Sequence, residues 1–222
     1  MSGGHIFSRI NTYYRKHGTI ITAQRALVSL KRLLMGNRMV IFCCALTMAE
    51  FDKNNSFGHF TVERRNSQDE ISDEEMERLL FYWNRDIKLR QIRERFAKGA
   101  ILWLAKSKSE TTGLGWSIVG KTIRPYFFPL RRYDSHLFDY EVFPDFRGQG
   151  VNRLLVNHVL AVLKTEGVNT AYIETYAWNE AEIRSLSRTI FKKLGEAIKL
   201  QFFGKTVVVW TGLEEESQSR TP

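Results

Sequence analysis

The stretch from Asp139 to Val156, DYEVFPDFRGQGVNRLLV, decides how the rest of the chain is read. An apolar run suited to a strand enters a turn holding Gly148 and Gly150, and an amphipathic helix opens at once. Backbone N–H groups at a helix start have no intrahelical partner, and the helix dipole adds positive potential there. Together they attract a phosphate, and glycine lets a ligand reach the backbone with no side chain in the way. The stretch therefore predicts a site for a phosphorylated cofactor.

The glycine spacing narrows the choice. A lysine-bearing P-loop would read G-x-x-x-x-G-K-[ST], and no such run occurs. A dinucleotide fingerprint needs G-x-G-x-x-G near the first strand. Here Arg153 stands where the third glycine belongs, and the glycine pair comes late in the chain.

The run Val142, Phe143, Pro144, Asp145, Phe146, Arg147, Gly148, Gln149, Gly150, Val151, Asn152 resembles the cofactor loop of the GNAT superfamily of acyl-CoA-dependent N-acyltransferases. In that family a strand ends Val-x-Pro, and Arg/Gln-x-x-Gly-x-Gly/Ala opens a helix. Asn152 is a departure, since Gly or Ala is usual there. Downstream, a strand from Thr170 to Trp178 and a helix from about Asn179 follow, and Phe191, Lys192, Lys193, Leu194, Gly195 resembles the family's helix ending. The resemblance covers the C-terminal half by motif and the N-terminal half by element order.

That resemblance implies an α+β fold: a central mixed, splayed sheet flanked by helices, with an N-terminal helical extension added. It implies acetyl-CoA as co-substrate, held by Val142, Phe143 and Arg147 to Asn152. The acyl-pantetheine arm would lie where the strand ending near Phe143 separates from the one starting near Thr170. In many relatives a tyrosine in the last helix protonates the departing thiolate; Phe191 stands there and has no proton to give. The asparagine common earlier in that helix maps to Arg184, unless Asn179 takes its part.

Direct attack of an amine on a thioester needs a base, a polarised carbonyl and a leaving thiolate, but no protein nucleophile. Asp139 and Glu141 are two apart, so regular alternation would point both to one strand face, as candidate base or acceptor ligand. The competing reading is a plain ion pair with Arg147 or Arg131. Tyr176, two residues beyond Glu174, is the candidate replacement acid, against the alternative of a core tyrosine. His136 and His158 stand alone, and His158 reads as a packing or surface residue of the helix. No His, Cys, Asp and Glu grouping has metal-ligand spacing, so no metal is expected.

The 222 residues suffice for one domain with a full core plus an extension. The division expected is a basic helical extension over 1–37, an acyltransferase domain over 38–213 and a polar tail over 214–222. The net charge is +9, and no Asp or Glu precedes Glu50 while seven Lys and Arg do, from Arg9 to Arg38. A solvated helical face explains this, although peripheral membrane contact through the basic N-terminus stays open. No nucleic-acid motif is present, and nucleic acid is not an expected partner. Adjacent Cys43 and Cys44 point to opposite sides of a strand, which suits reduced thiols in the cytoplasm.

Further elements follow from pattern. The runs 6–17 and 20–35 read as helices, 38–46 as a buried strand, 52–56 as a turn and 57–64 as a second strand. Ser72 and Glu75 form a capping box for a helix running to about Phe96, ended by Lys98 and Gly99. Strands follow at 100–106, 113–121 and 136–143, then the cofactor helix over 148–166. The aromatic, basic loop 124–132 (RPYFFPLRR) is a candidate lining for the acceptor groove, and a hairpin turns around Gly204. The expected activity is acyl transfer to a primary amine of a small molecule, amino sugar or peptide. The alternatives are a non-catalytic CoA-binding regulatory module and an adaptor working through the N-terminal helices.

Overall fold

The computed structural model of the chain describes residues 36–50, 59–81, 83–202 and 205–213. The two expected N-terminal helices, the 52–56 turn, Gly204 and the tail lie outside those residues. The elements in chain order are β1 (Met39–Ala45), β2 (Phe60–Arg65), α1 (Asp73–Leu80), α2 (Arg85–Ala97), β3 (Ile101–Ser107), β4 (Glu110–Val119) and β5 (Asp134–Val142). Then come α3 (Val151–Thr165), β6 (Thr170–Tyr176), α4 (Glu180–Leu186), β7 (Lys192–Phe202) and β8 (Lys205–Leu213). The strands form one mixed sheet in the order β2-β3-β4-β5-β6-β1-β7-β8, in which only β5 and β6 run parallel.

Each face of the sheet is covered differently. Helix α3 lays Val151, Leu155, Val156, Val159, Leu160 and Leu163 on one face, at helical spacing, against Phe42, Leu137 and Ile173. Under α1 and α2 the other face buries Leu102, Leu104, Leu114, Trp116, Ile118 and Phe138 with Leu79 and Ile92. Further along that second face, among the described residues, loop residues Tyr126 and Phe127 cover Ile41 and Ala197. The 124–132 loop thus meets the sheet through its rings rather than its arginines.

Two helices end earlier than their patterns predict. The expected single helix over 72–96 is broken: α1 stops at Leu80, and Asn84 caps a new helix by accepting from the Ile87 N–H at 3.1 Å. The capping box at the start of α1 is present, and its Glu75 is tied to Arg65 at 2.6 Å and Lys106 at 2.7 Å. Burial raises the Glu75 pKa, but hydrogen bonds from Arg65 and Lys106 outweigh it and hold the carboxyl at about 2.

The second correction bears on the site. The helix from Asn179 ends at Leu186, and Phe191 to Gly195 does not end a helix. The Thr189 hydroxyl donates to the Leu186 carbonyl at 2.6 Å and accepts the Phe191 N–H at 3.2 Å, turning the chain out of the helix. Lys192, Lys193 and Gly195 then pair with β1 opposite Cys43, Phe42 and Ile41. The motif's residue types match the family, but pairing with the apolar β1 strand overrides their helical spacing.

Candidate active site

The parallel pairing of β5 with β6 runs from Asp134–Thr170 to Leu137–Ile173 and stops there. Beyond it β5 continues to Val142 along β4, and β6 continues to Tyr176 along β1. The two strands separate as the sequence predicts. In a regular sheet their facing N–H and C=O groups would pair with each other, so the gap presents an unused strand edge on both walls.

Strand β5 leads straight into the glycine turn. A short 3-10 turn over Pro144–Phe146 comes first, then Gly148 at φ +78° and Gly150 at φ +81°, both in the left-handed region that favours glycine. Helix α3 starts at Val151 rather than at Gly148, with Gly150 as its N-cap. That cap supplies no side-chain acceptor, and the first turn of α3 holds no acidic residue. The leading N–H groups of α3 are therefore left for another anion. A Cβ built on Gly148 would meet nothing within 4 Å, so no packing within the described residues demands glycine there. Glycine at that point keeps an approach to the backbone clear.

Side chains brace the turn from outside. Arg147 Nε donates to the Val142 carbonyl at 3.1 Å, and Gln149 Nε2 donates to the Asp145 carbonyl at 3.1 Å. Asn152 Nδ2 reaches Ser185 Oγ at 3.0 Å, tying α3 to α4, which is what its extra bulk does in place of Gly or Ala. Phe143 and Val151 are buried and Val142 is half-buried in the cores. Only their backbone is placed for a ligand.

Asp139 and Glu141 do not lie on a regular strand. Leu114 faces Glu141 while Trp116 faces Phe138, so β5 carries one extra residue opposite Gly115. The bulge puts Asp139 at φ +51°, a conformation Asp tolerates better than most side chains. The irregularity falls before Asp139, so Asp139 and Glu141 still share one face and both meet cations of α2, while Tyr140 between them turns to the α3 side. Asp139 pairs with Arg95, whose guanidinium lies over the rings of Trp116 at 5.0 Å and Phe138 at 5.5 Å. Burial raises the Glu141 pKa, opposed by the charges of Lys88 and Arg147 and by a hydrogen bond from Trp83. Asp139 pairs with Arg95 rather than with Arg131 or Arg147, while Glu141 lies within reach of the charges of both Lys88 and Arg147.

A further group was missed by reading histidines singly. His136 Nε2 lies 2.9 Å from Glu174 Oε2, the two residues standing on either side of the last parallel pair. The Tyr126 ring centroid is 4.6 Å from that of His136, and burial together with the adjacent Glu174 pushes the Tyr126 phenol pKa up. The signal available in the sequence was parity: His136 and Phe138 on one strand, Tyr172 and Glu174 on the next. Tyr176 is stacked on Trp178 at 5.0 Å, and His158 packs edge-on against Trp103. On the α3 side, Glu182 accepts from Thr175 Oγ1 and Asn179 Nδ2, each at 2.6 Å, and burial raises its pKa. Asn179 thus serves as N-cap of α4, Arg184 is exposed, and Phe191 is core.

Among the described residues no three His, Cys, Asp or Glu side chains are grouped to hold a metal, and no helix is long and apolar enough to cross a membrane.

The sequence model of the GNAT acetyltransferase family matches residues 64–188, more than half of the 222 residues. The chain belongs to the GNAT acetyltransferase family. Among solved structures, a GNAT-family acetyltransferase from Colwellia psychrerythraea superposes with a TM-score of 0.52 at 10% identity, over 78% of this chain and 55% of that one. A putative GNAT acetyltransferase from Novosphingobium aromaticivorans gives 0.47 at 14% identity, over 72% and 61%. An IAA acetyltransferase from Bacillus cereus gives 0.44 at 17% identity, over 58% and 74%. At 10% identity the likeness to the Colwellia structure shows the fold alone, and the chain covers 55% and 61% of the first two structures' length. No curated protein matches the chain by sequence.

Proposed function

We propose that this GNAT protein moves an acyl group, acetyl in the first place, from a CoA thioester to a primary amine by direct attack in a ternary complex. The observation that carries this reading is the sheet pairing that stops at Leu137 and Ile173, directly in front of the glycine turn. A strand edge for the pantetheine amides and a ring of N–H groups for the diphosphate follow one another along a single path. The backbone of Gly148 to Asn152 would hold the diphosphate, with Arg147 adding positive charge beside it.

Glu141 is a candidate acceptor-binding carboxylate on the α2 side of the gap, while Asp139, fixed by Arg95, holds the bulge in place. Tyr176 is the phenol assigned to the departing thiolate. The acceptor class is a small-molecule, amino-sugar or peptide amine. Two adjacent free thiols suit a reducing cytoplasm. A non-catalytic CoA-binding role is the competing reading, and its support is Phe191, a core residue with no proton to give.

The test is thiol release from acetyl-CoA across a panel of primary amines, read with a disulfide reagent. Amine-dependent release at least about 100-fold above the amine-free rate is expected, in line with the usual contribution of a positioned base. CoA binding with no release for any amine would establish the regulatory reading instead.

A further inference from the structure

The point where β5 and β6 part holds a hydrogen-bonded pair that the site described so far does not use. Glu174 projects from β6 immediately beyond the last parallel pair, on the face opposite α3, and its side chain is 18% exposed. His136, only 7% exposed, contacts it through Nε2 at 2.9 Å. The other ring nitrogen, His136 Nδ1, is buried with no hydrogen-bond partner, and the buried Tyr126 hydroxyl is turned toward Glu174. Buried polar atoms are nearly always partnered, because leaving one bare costs about 1–3 kcal/mol. A bare imidazole nitrogen and a buried phenol flanking one carboxylate mark a place kept for chemistry.

We infer that Glu174 is the base that takes the proton from the acceptor amine, and that His136 and Tyr126 position it. This rests on the acyltransfer reading above. With His136 Nε2–H donating to Oε2, the second carboxylate oxygen is left to face an incoming ammonium. The rings of Tyr126, Phe128, Phe138 and Tyr172 gather on this face. Tyr126 packs on Phe128 and His136, Phe138 stacks on His136, and Phe128 packs on Tyr172. Such a surround favours a cation over a neutral polar group and strengthens its attraction to the carboxylate. Lys199, over the Phe127 ring at 4.1 Å, donates to the Pro125 carbonyl at 2.7 Å and feels the Glu174 charge without an ion pair to it among the described residues.

The atoms balance as follows. The ammonium R–NH3+ gives one proton to the Glu174 carboxylate, leaving R–NH2 and a carboxylic acid. The nitrogen lone pair forms the C–N bond at the thioester carbon, and the C–S bond breaks with its electron pair on sulfur. The Tyr176 hydroxyl gives its proton to that thiolate and takes the second nitrogen proton in return, and Glu174 returns its proton to water. The products are the amide, CoA–SH and one released proton.

The test uses the full chain with acetyl-CoA and a series of ethylamine, 2-fluoroethylamine and 2,2-difluoroethylamine, whose ammonium ions are progressively more acidic. Glu174→Gln is expected to lower kcat at least about 100-fold with ethylamine while the KM for acetyl-CoA stays within about twofold. The deficit should shrink to below about tenfold with 2,2-difluoroethylamine, which reaches the site already neutral. His136→Leu should lose about tenfold or more, and His136→Gln, whose amide can donate the same bond, should recover most of it. An equal loss for all three amines, or Glu174→Gln within about threefold of wild type, overturns the assignment. If the wild-type chain releases no thiol with any of the three, the inference falls with acyl transfer, while calorimetric CoA binding still reports separately on the glycine turn.

Discussion

A Gly150→Trp protein that keeps its fold should bind acetyl-CoA at least about 100-fold more weakly than the wild-type chain, a loss of about 2.7 kcal/mol. The residue is the N-cap of α3 and sits at φ +81°, where a side chain is strained and the backbone turns its N–H groups outward. An indole there displaces the approach that glycine leaves open, and it stands between the ligand and the first turn of α3. No acidic side chain competes for those N–H groups, so their electrostatic pull is undiminished in the wild type. Equilibrium dialysis with radiolabelled acetyl-CoA measures the change, and circular dichroism checks that the sheet is intact. Unaltered affinity in the folded variant contradicts the assignment of the turn.

Gly115→Val is expected to destabilise the protein by about 3 kcal/mol, lowering Tm by roughly 6–12 °C for a domain of this size. A Cβ at Gly115 would lie 2.6–2.7 Å from three ring carbons of Tyr140. That ring cannot simply swing away, because Tyr140 packs against the α3-side core and its hydroxyl is buried. The extra residue of the β5 bulge lies opposite Gly115, so moving Tyr140 also disturbs Asp139 and its pairing with Arg95. Calorimetric melting tests this, and a variant melting within about 2 °C of wild type would mean the bulge does not depend on that glycine. Amine-dependent thiol release should fall with stability, since the bulge sets where β5 leaves β6.

Much of the fold was legible because its signals are local. The strand-turn-helix unit from Asp139 onward declares itself through the Val-x-Pro end, two glycines and the apolar stripe of Leu154, Leu155, Val159 and Leu163. The capping box at Ser72 is equally local. What escaped depends on contacts distant in sequence. The bulge at Asp139 exists because Gly115, 24 positions earlier, makes room for Tyr140. The strand character of Lys192 to Gly195 comes from pairing with Ile41 to Cys43, which no window around Phe191 contains.

The site was legible in the same measure. Gly148, Gln149 and Gly150 form the expected turn and Asn152 stands in the first turn of α3, since glycine spacing suffices to place that backbone. Side-chain chemistry was not recoverable in that way. His136 and Glu174 are 38 positions apart, and only the parallel register of two strands brings them within a hydrogen bond. Asp139 and Glu141 were found by spacing, but their partners on α2 were set by the bulge and by the break before Asn84.

The most direct test of the central claim compares CoA with pantetheine, which lacks the diphosphate and nucleotide, by isothermal titration into the intact chain. Backbone N–H groups past Arg147 that grip a diphosphate predict one CoA bound per chain, with a Kd on the order of micromolar and at least about 100-fold tighter than pantetheine. Equal affinity for the two, or no heat from either up to millimolar concentration, would contradict the account.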